Sequence, residues 1–186
     1  MQKKILSGVQ CPVVRSLERV GEWWSVLILR EAFYGSKRFD EFQKRLDIAT
    51  NMLSRRLAML VAEGLLERRQ YCEKPPRYEY VLTPLGLDFR PIILTLVDWG
   101  NKHFEPEGAS AQLTDIATGK PVDLILVDRN TGKPITLEEH AVLPGPAASK
   151  RLRQRLTCAT EPAQAHAARA TPVTPEPPIT PSAATI

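Results

Sequence analysis

The sequence predicts a mainly helical α+β fold in which a small two-stranded β unit follows a series of short helices. Three observations point there. Apolar residues recur at helical spacing through most of residues 11–104, and two short β patterns flank the stiff segment Glu73-Lys74-Pro75-Pro76-Arg77. All the aromatic residues (5 Phe, 4 Tyr, 3 Trp) fall between Trp23 and Phe104. Aromatic side chains carry much of a core's buried area, so the main folded unit is expected to end near Phe104.

The elements follow in order. Pro12 opens a first helix with Val13, Leu17 and Val20 at i, i+4 and i+7, and Gly21 stops it. Trp23–Tyr34 is apolar nearly all round, which predicts a buried, central second helix ended by Gly35. Phe39, Phe42 and Leu46 make one stripe of a short third helix, followed by the turn Asp47-Ile48-Ala49. Thr50 is the expected N-cap of a fourth helix with a core stripe of Leu53, Leu57, Leu60 and Val61, ended by Gly64. The β patterns are Leu65–Cys72 and Tyr78–Leu82; Glu67, Arg68 and Arg69 put the first at a surface. Thr83 caps a last helix with Pro84 at its first position, and Pro91 is expected to kink or break it.

Short helix, three-residue turn, capped helix and two-stranded unit with a basic loop together read as a winged helix-turn-helix. A helix enters the major groove by its N-terminal end, so base-reading side chains belong in its first two turns, opposite the core stripe. Thr50, Asn51, Met52, Ser54, Arg55 and Arg56 occupy that stretch. Asn pairs bidentately with adenine and Arg with guanine. The Pro75-Pro76 pair stiffens the wing and aims Lys74 and Arg77 at phosphates or the minor groove. Read blandly, Arg55 and Arg56 are solvated helix charges, and Arg68 and Arg69 blunt an edge strand.

Composition narrows the class further. The chain has 186 residues, 25 Lys+Arg against 21 Asp+Glu, 43% hydrophobic residues and 3 cysteines. Wholesale disorder is excluded, and three cysteines make no disulfide framework. No apolar stretch approaches the ~20 residues of a membrane helix, and MQKKILSGVQ lacks the apolar region of a secretory signal, so a soluble, cytoplasmic protein is expected. Residues 1–104 carry a net charge of +5 and residues 105–186 a net of −1, so the basic character belongs to the folded domain. His103, His140 and His166 have no metal-ligand spacing, and no phosphate loop or nucleophile elbow is present. Neither an enzyme nor a cofactor or metal site is expected.

CPV near the start, WWSVLILRE, FDEFQKRL, the Ile-x-x-x-x-Leu-Ser-Arg-Arg-Leu pattern, EGLLERR, PPRYEYVLTPLG and LVDWG resemble the HxlR family of bacterial transcriptional regulators, a MarR-related winged-helix group. The resemblance runs from about Cys11 to Glu107. It implies a homodimer on double-stranded operator DNA, with a recognition helix matching Thr50–Ala62 and a wing matching Glu73–Arg77. It also implies dimerisation through terminal helices, for which Leu96, Val97, Trp99 and Gly100 are the candidates. In several members the cysteine before this Pro senses oxidants or electrophiles, which makes Cys11 a candidate redox sensor responding to an oxidant or small-molecule effector. At a helix N-terminus the dipole favours its thiolate. The bland reading is a small, partly buried residue. Cys72 is expected to pack, and Cys158 to be incidental.

The expected organisation is an N-terminal arm (1–10), the winged-helix domain (11–108), a β-hairpin-like appendage (109–143) and a disordered tail (144–186). The appendage contains TGKPV at 118–122 and TGKPI at 131–135, with VDLILVD between them read as a strand. In the tail, Pro, Ala and Thr make up 24 of 43 residues, too little apolar surface to offset ordering. Its KRLRQR cluster (150–155) reads as a solubilising patch, with an extra arm of non-specific DNA affinity as the other reading. The alternative for the whole chain is a winged-helix protein-interaction module, from which the basic residues of helix and wing distinguish it.

Overall fold

The computed structural model describes residues 10–157, which fall into two units dividing between Ile125 and Leu126. The division lies inside the 109–143 segment. The first unit contains α1 (Pro12–Val20), α2 (Trp23–Phe33), α3 (Phe39–Leu46), α4 (Thr50–Ala62), β1 (Leu66–Cys72), β2 (Arg77–Leu82), α5 (Pro84–Leu87) and α6 (Arg90–Phe104), in that order. Residues 1–9 of the expected arm and the tail from 158, with Cys158, lie outside the described residues.

The core collects Ile28 and Leu29 from α2, Phe42 from α3, Ile48 from the turn, Leu53, Leu57 and Leu60 from α4, and Leu66 from β1. Helix α2 is central as expected, but its first residue is not buried. Trp23 stacks on Trp24 with ring centroids 4.0 Å apart and stays 62% exposed. The apolar stripe of α1 is covered only in part. Only Val20 is buried, while Val13 and Leu17 are 64% and 54% exposed. Helical spacing identified the apolar face but not what covers it.

The three-residue turn between α3 and α4 has a physical basis in each residue. Asp47 adopts a left-handed backbone (φ 47°), which Asp tolerates better than bulkier residues. Ile48 drops into the core, and Ala49 is the extended N-cap of α4. Thr50 is therefore not the cap. It is the first helical residue, and its hydroxyl instead accepts a hydrogen bond from the Gln43 side chain (2.8 Å).

Strands β1 and β2 pair antiparallel in the register Leu66↔Leu82, Arg68↔Tyr80 and Gln70↔Tyr78, with an irregularity between Gln70 and Cys72. A bridge between Arg38 and Glu79, and the Tyr80 N–H donating to the Lys37 carbonyl (2.7 Å), bind the hairpin to the segment before α3. Thr83 caps α5, its hydroxyl accepting from the Gly86 N–H and donating to the Gly64 carbonyl (2.6 Å). A Cβ at Gly86 would collide with the Leu65 carbonyl oxygen, so the close crossing of α5 and the start of β1 requires glycine there. The expected break in the last helix is present: α5 stops at Leu87, and Pro91 lies in the first turn of α6, where its missing N–H is harmless.

VDLILVD is not a strand. Each TGKP turn pairs instead with the residues just before it. The Asp115 N–H donates to the Lys120 carbonyl and the Val122 N–H to Leu113. In the second unit the Asp128 N–H donates to Lys133 and the Ile135 N–H to Leu126, at distances matching the first copy. The repeat is thus Leu-x-Asp-x-x-Thr-Gly-Lys-Pro, at 113–121 and 126–134. Its Asp is as constitutive as its glycine. Asp115 accepts from the Thr118 hydroxyl and N–H, and Asp128 from the Asn130 N–H and the Thr131 hydroxyl. These bonds hold both carboxyls below the usual carboxylate range. The expectation of disorder from Pro144 is corrected only within the described residues, where 150–157 form a helix, α7.

Candidate nucleic-acid interface

Helix α4 presents an exposed arc made by Asn51, Ser54, Arg55 and Ala58, with Thr50 at its start. The arc lies opposite Leu53, Leu57 and Leu60, which the core holds fully buried. Two expected members are turned away from it. Met52 is half-buried and packs against the core. Arg56 is 6% exposed and forms an ion pair of 3.1 Å with Glu22, its Nη1 lying 3.9 Å from the Met59 sulfur. Arg56 is therefore corrected from a DNA-reading residue to a structural one. Its Nε has no hydrogen-bond partner among the described residues, so freeing the side chain would sacrifice the compensation it has for burial. Arg19 forms a second ion pair with Glu63 at the end of α4 (3.3 Å).

The wing tip is Glu73-Lys74-Pro75-Pro76, with a cis Lys74–Pro75 peptide. Lys74 and Arg77 are both exposed there. The other wing cations are engaged within the chain. Arg68 lies over the Tyr78 ring at 3.5 Å, Arg38 over Tyr71 at 5.0 Å, and Arg69 pairs with Glu67 at 2.9 Å. That pairing lowers the Glu67 carboxyl and raises the Arg69 guanidinium. Cys72 is half-buried behind the tip, its thiol directed at the Lys74 carbonyl (3.7 Å).

Sequence reasoning missed the residues that aim this face. Gln43 binds the first residue of α4, and Glu22 holds Arg56. Glu41 accepts from the backbone N–H groups of Lys37 (2.8 Å) and Arg38 (3.0 Å), which fixes the entry to α3 and lowers its carboxyl. A Glu three residues after the cap was a legible signal. The Gln43 and Glu22 contacts carry no such spacing.

The dimer candidates separate by face. Leu96 and Trp99 are exposed and share a stripe of α6 with Ile92. Trp99 meets Phe104 edge-on at 4.8 Å, and Gly100 is half-exposed with open space beside it. Val97 is not on that stripe. It is half-buried and lines a cavity of about 170 Å³ with Phe33, Arg90 and Leu113 of its own chain. Cys11 is the extended N-cap of α1, half-buried and outside any disulfide. Among the described residues no cluster of His, Cys, Asp or Glu could hold a metal ion, and no helix is long and apolar enough to cross a membrane.

Residues 19–108 match the sequence profile of the HxlR-like helix-turn-helix family. An HTH-type transcriptional regulator of Mycobacterium tuberculosis (strain ATCC 25618 / H37Rv) is 40% identical over 141 residues, covering 75% of this chain and 89% of that protein. The chain belongs to the HxlR-like helix-turn-helix family. As a member it is a transcriptional regulator of the helix-turn-helix type, in a family of regulators rather than enzymes. Its HxlR-like fold is the winged helix. The solved structure of PA1374, a candidate transcription factor from Pseudomonas aeruginosa, matches with a TM-score of 0.58 and 52% identity, over 78% of this chain and all of that one. PA1607 matches with a TM-score of 0.65 and 36% identity, over 73% of this chain and 95% of that one. The HTH-type regulator YdeP of Bacillus subtilis (strain 168) aligns over only 94 residues, at 38% identity, covering 50% of this chain and 73% of YdeP. An alignment of 141 residues cannot fit within the first 108, so the mycobacterial relative also shares sequence beyond the HxlR-like region.

Proposed function

We propose that this chain is a cytoplasmic homodimer that binds an inverted-repeat operator in double-stranded DNA. The observation that carries the proposal is the exposed arc on the N-terminal half of α4, where Asn51, Ser54 and Arg55 face solvent together while Arg56 is held inward. Asn51 and Arg55 supply the two bidentate base-reading groups. Thr50 and Ser54 contact backbone or base edges, and Lys74 and Arg77 on the wing contact phosphate or the minor groove. Twofold symmetry sets the two α4 helices in successive major grooves about 34–36 Å apart.

The dimer reading is supported by an open apolar groove of about 600 Å³ on the face where α1, the first turn of α2 and α6 meet, lined by Val13, Leu17, Trp23, Ile92 and Leu96. A second copy covers these side chains, with Trp99 and Gly100 continuing the surface along α6. Cys11 stands at the start of the same α1, where an oxidant or electrophile that modifies its sulfur would disturb the packing of α1.

Mobility shift with DNA from the protein's own promoter region, across a salt series, tests the proposal. Wild type is expected to bind selectively. Arg55→Ala should lose the selectivity and Arg77→Ala should weaken binding to all sequences. For on the order of 8 phosphates the log–log salt slope should be near −7. An oxidant effect absent from Cys11→Ser would establish the sensor. Equal, weak binding to promoter and random DNA at every candidate promoter would sink the operator reading and favour a protein-interaction module.

A further inference from the structure

Helix α7 (150–157) lies in a stretch whose composition argues against structure, yet its start is built by specific contacts. Ser149 caps it, its hydroxyl accepting from the Leu152 N–H (3.3 Å) and its carbonyl from the Arg153 N–H (2.9 Å). The Arg153 guanidinium folds back to donate to the carbonyls of Ala148 (3.0 Å), Pro146 (2.9 Å) and Gly145 (3.3 Å). One cation is thus spent on ordering the helix. Lys150, Arg151 and Arg155 are left exposed, with no ion pair among the described residues.

At helical pitch these three fall on one arc with Gln154, while Leu152 and Leu156, half-buried, occupy the other side. No Asp or Glu lies between Glu139 and Glu161, so the arc has no neutralising charge nearby in sequence. Lys150 and Arg151 also sit in the first turn, where the helix dipole disfavours cations. Helix stability does not account for that placement. A polyanion laid against the arc does, since its negative charge suits both the side chains and the helix N-terminus.

We propose that α7 is a second DNA contact, in which Lys150, Arg151 and Arg155 neutralise backbone phosphates of the duplex that α4 reads. This rests on the DNA-binding reading above. Phosphate contacts carry no base information, so α7 adds affinity without altering sequence preference. Tethering in one chain makes its engagement intramolecular once the winged helix is bound. An anionic membrane is the poorer partner, because two leucines without an aromatic residue make a small face for insertion.

The test compares the full chain with a Lys150→Gln/Arg151→Gln/Arg155→Gln variant, on promoter and random duplexes, across a salt series. Circular dichroism verifies that the variant is folded. Loss of three phosphate contacts per chain should make the log–log salt slope shallower by about 2.7 per chain, equally on both duplexes. Arg55→Ala should instead abolish the preference for the promoter, a loss of base readout and not of phosphate contacts. If wild type binds DNA and the triple variant keeps its slope, α7 is not a DNA contact and the operator reading stands. If wild type binds neither duplex even at low salt, both fall. Loss of binding to mixed phosphatidylcholine–phosphatidylserine vesicles with an unchanged DNA slope would assign the helix to a lipid surface and overturn the proposal.

Discussion

Arg55 and Arg56 are adjacent in sequence and opposite in circumstance. One faces solvent from the middle of the α4 arc; the other is buried against Glu22. Alanine substitution should separate them cleanly. Arg55→Ala is expected to leave thermal stability within about 0.5 kcal/mol while removing promoter selectivity. Arg56→Ala should cost about 1–3 kcal/mol in denaturant unfolding, the lower range applying because the abandoned Glu22 carboxylate still reaches water. Equal stability losses from the two variants would contradict the assignment. Their difference was not legible in the sequence. Arg55 lies opposite the leucine stripe and Arg56 on its flank, and whether that flank turns inward depends on where Glu22, the N-cap of α2, packs, a contact made more than thirty positions earlier in the chain. Asn51, Ser54 and Arg55 were legible because the periodicity that buries Leu53, Leu57 and Leu60 dictates their exposure.

Elements with strong local signals came out as read. The boundaries of α3, α4 and the two strands lie where periodicity, glycines and the Pro75-Pro76 turn put them, to within a residue. Elements failed where the local pattern had a non-local or competing explanation. VDLILVD has strand composition, but the turns on either side take up its neighbours' backbone groups first. The α3 entry also has a pH signature. Glu41 is held below the usual carboxylate range, first by the Lys37 N–H and then by that of Arg38. A depressed carboxyl stabilises the fold above its unfolded pKa, and that contribution is lost as pH falls through the folded value. Melting temperature should therefore drop as pH passes below the ordinary Glu range of about 4. Glu41→Gln should flatten that part of the acid limb relative to wild type. An unchanged acid limb would mean that these hydrogen bonds persist in the unfolded chain or are too solvated to count.

At the scale of the whole molecule, apolar surface is the unresolved balance of the first unit. Val13, Leu17, Trp23, Ile92 and Leu96 are all substantially exposed around one groove, more than scattered surface hydrophobes explain. Leu17→Glu and Leu96→Glu are expected to convert a dimer into monomers in sedimentation velocity, with the monomer's secondary structure intact. DNA affinity should fall with them, since each half-site alone binds weakly. A dimer that survives both substitutions would move its interface elsewhere. The sequence showed the apolar α1 stripe and the terminal helix plainly, but not what covers them. Amphipathic spacing is the same whether a face meets its own chain or another.

The two ion pairs that join α4 to the α1–α2 corner, Arg56–Glu22 midway along it and Arg19–Glu63 at its end, have a mechanical meaning. A rod pinned at one point can swivel; a rod pinned at two must follow its mount. The second pin is the softer, being solvent-exposed. With both in place, α4 and its exposed arc are tied to the α1–α2 corner that bears the apolar groove. Under the proposed function, whatever settles into the groove, or alters the chain at Cys11, is transmitted through these pairs to the arc that carries Arg55.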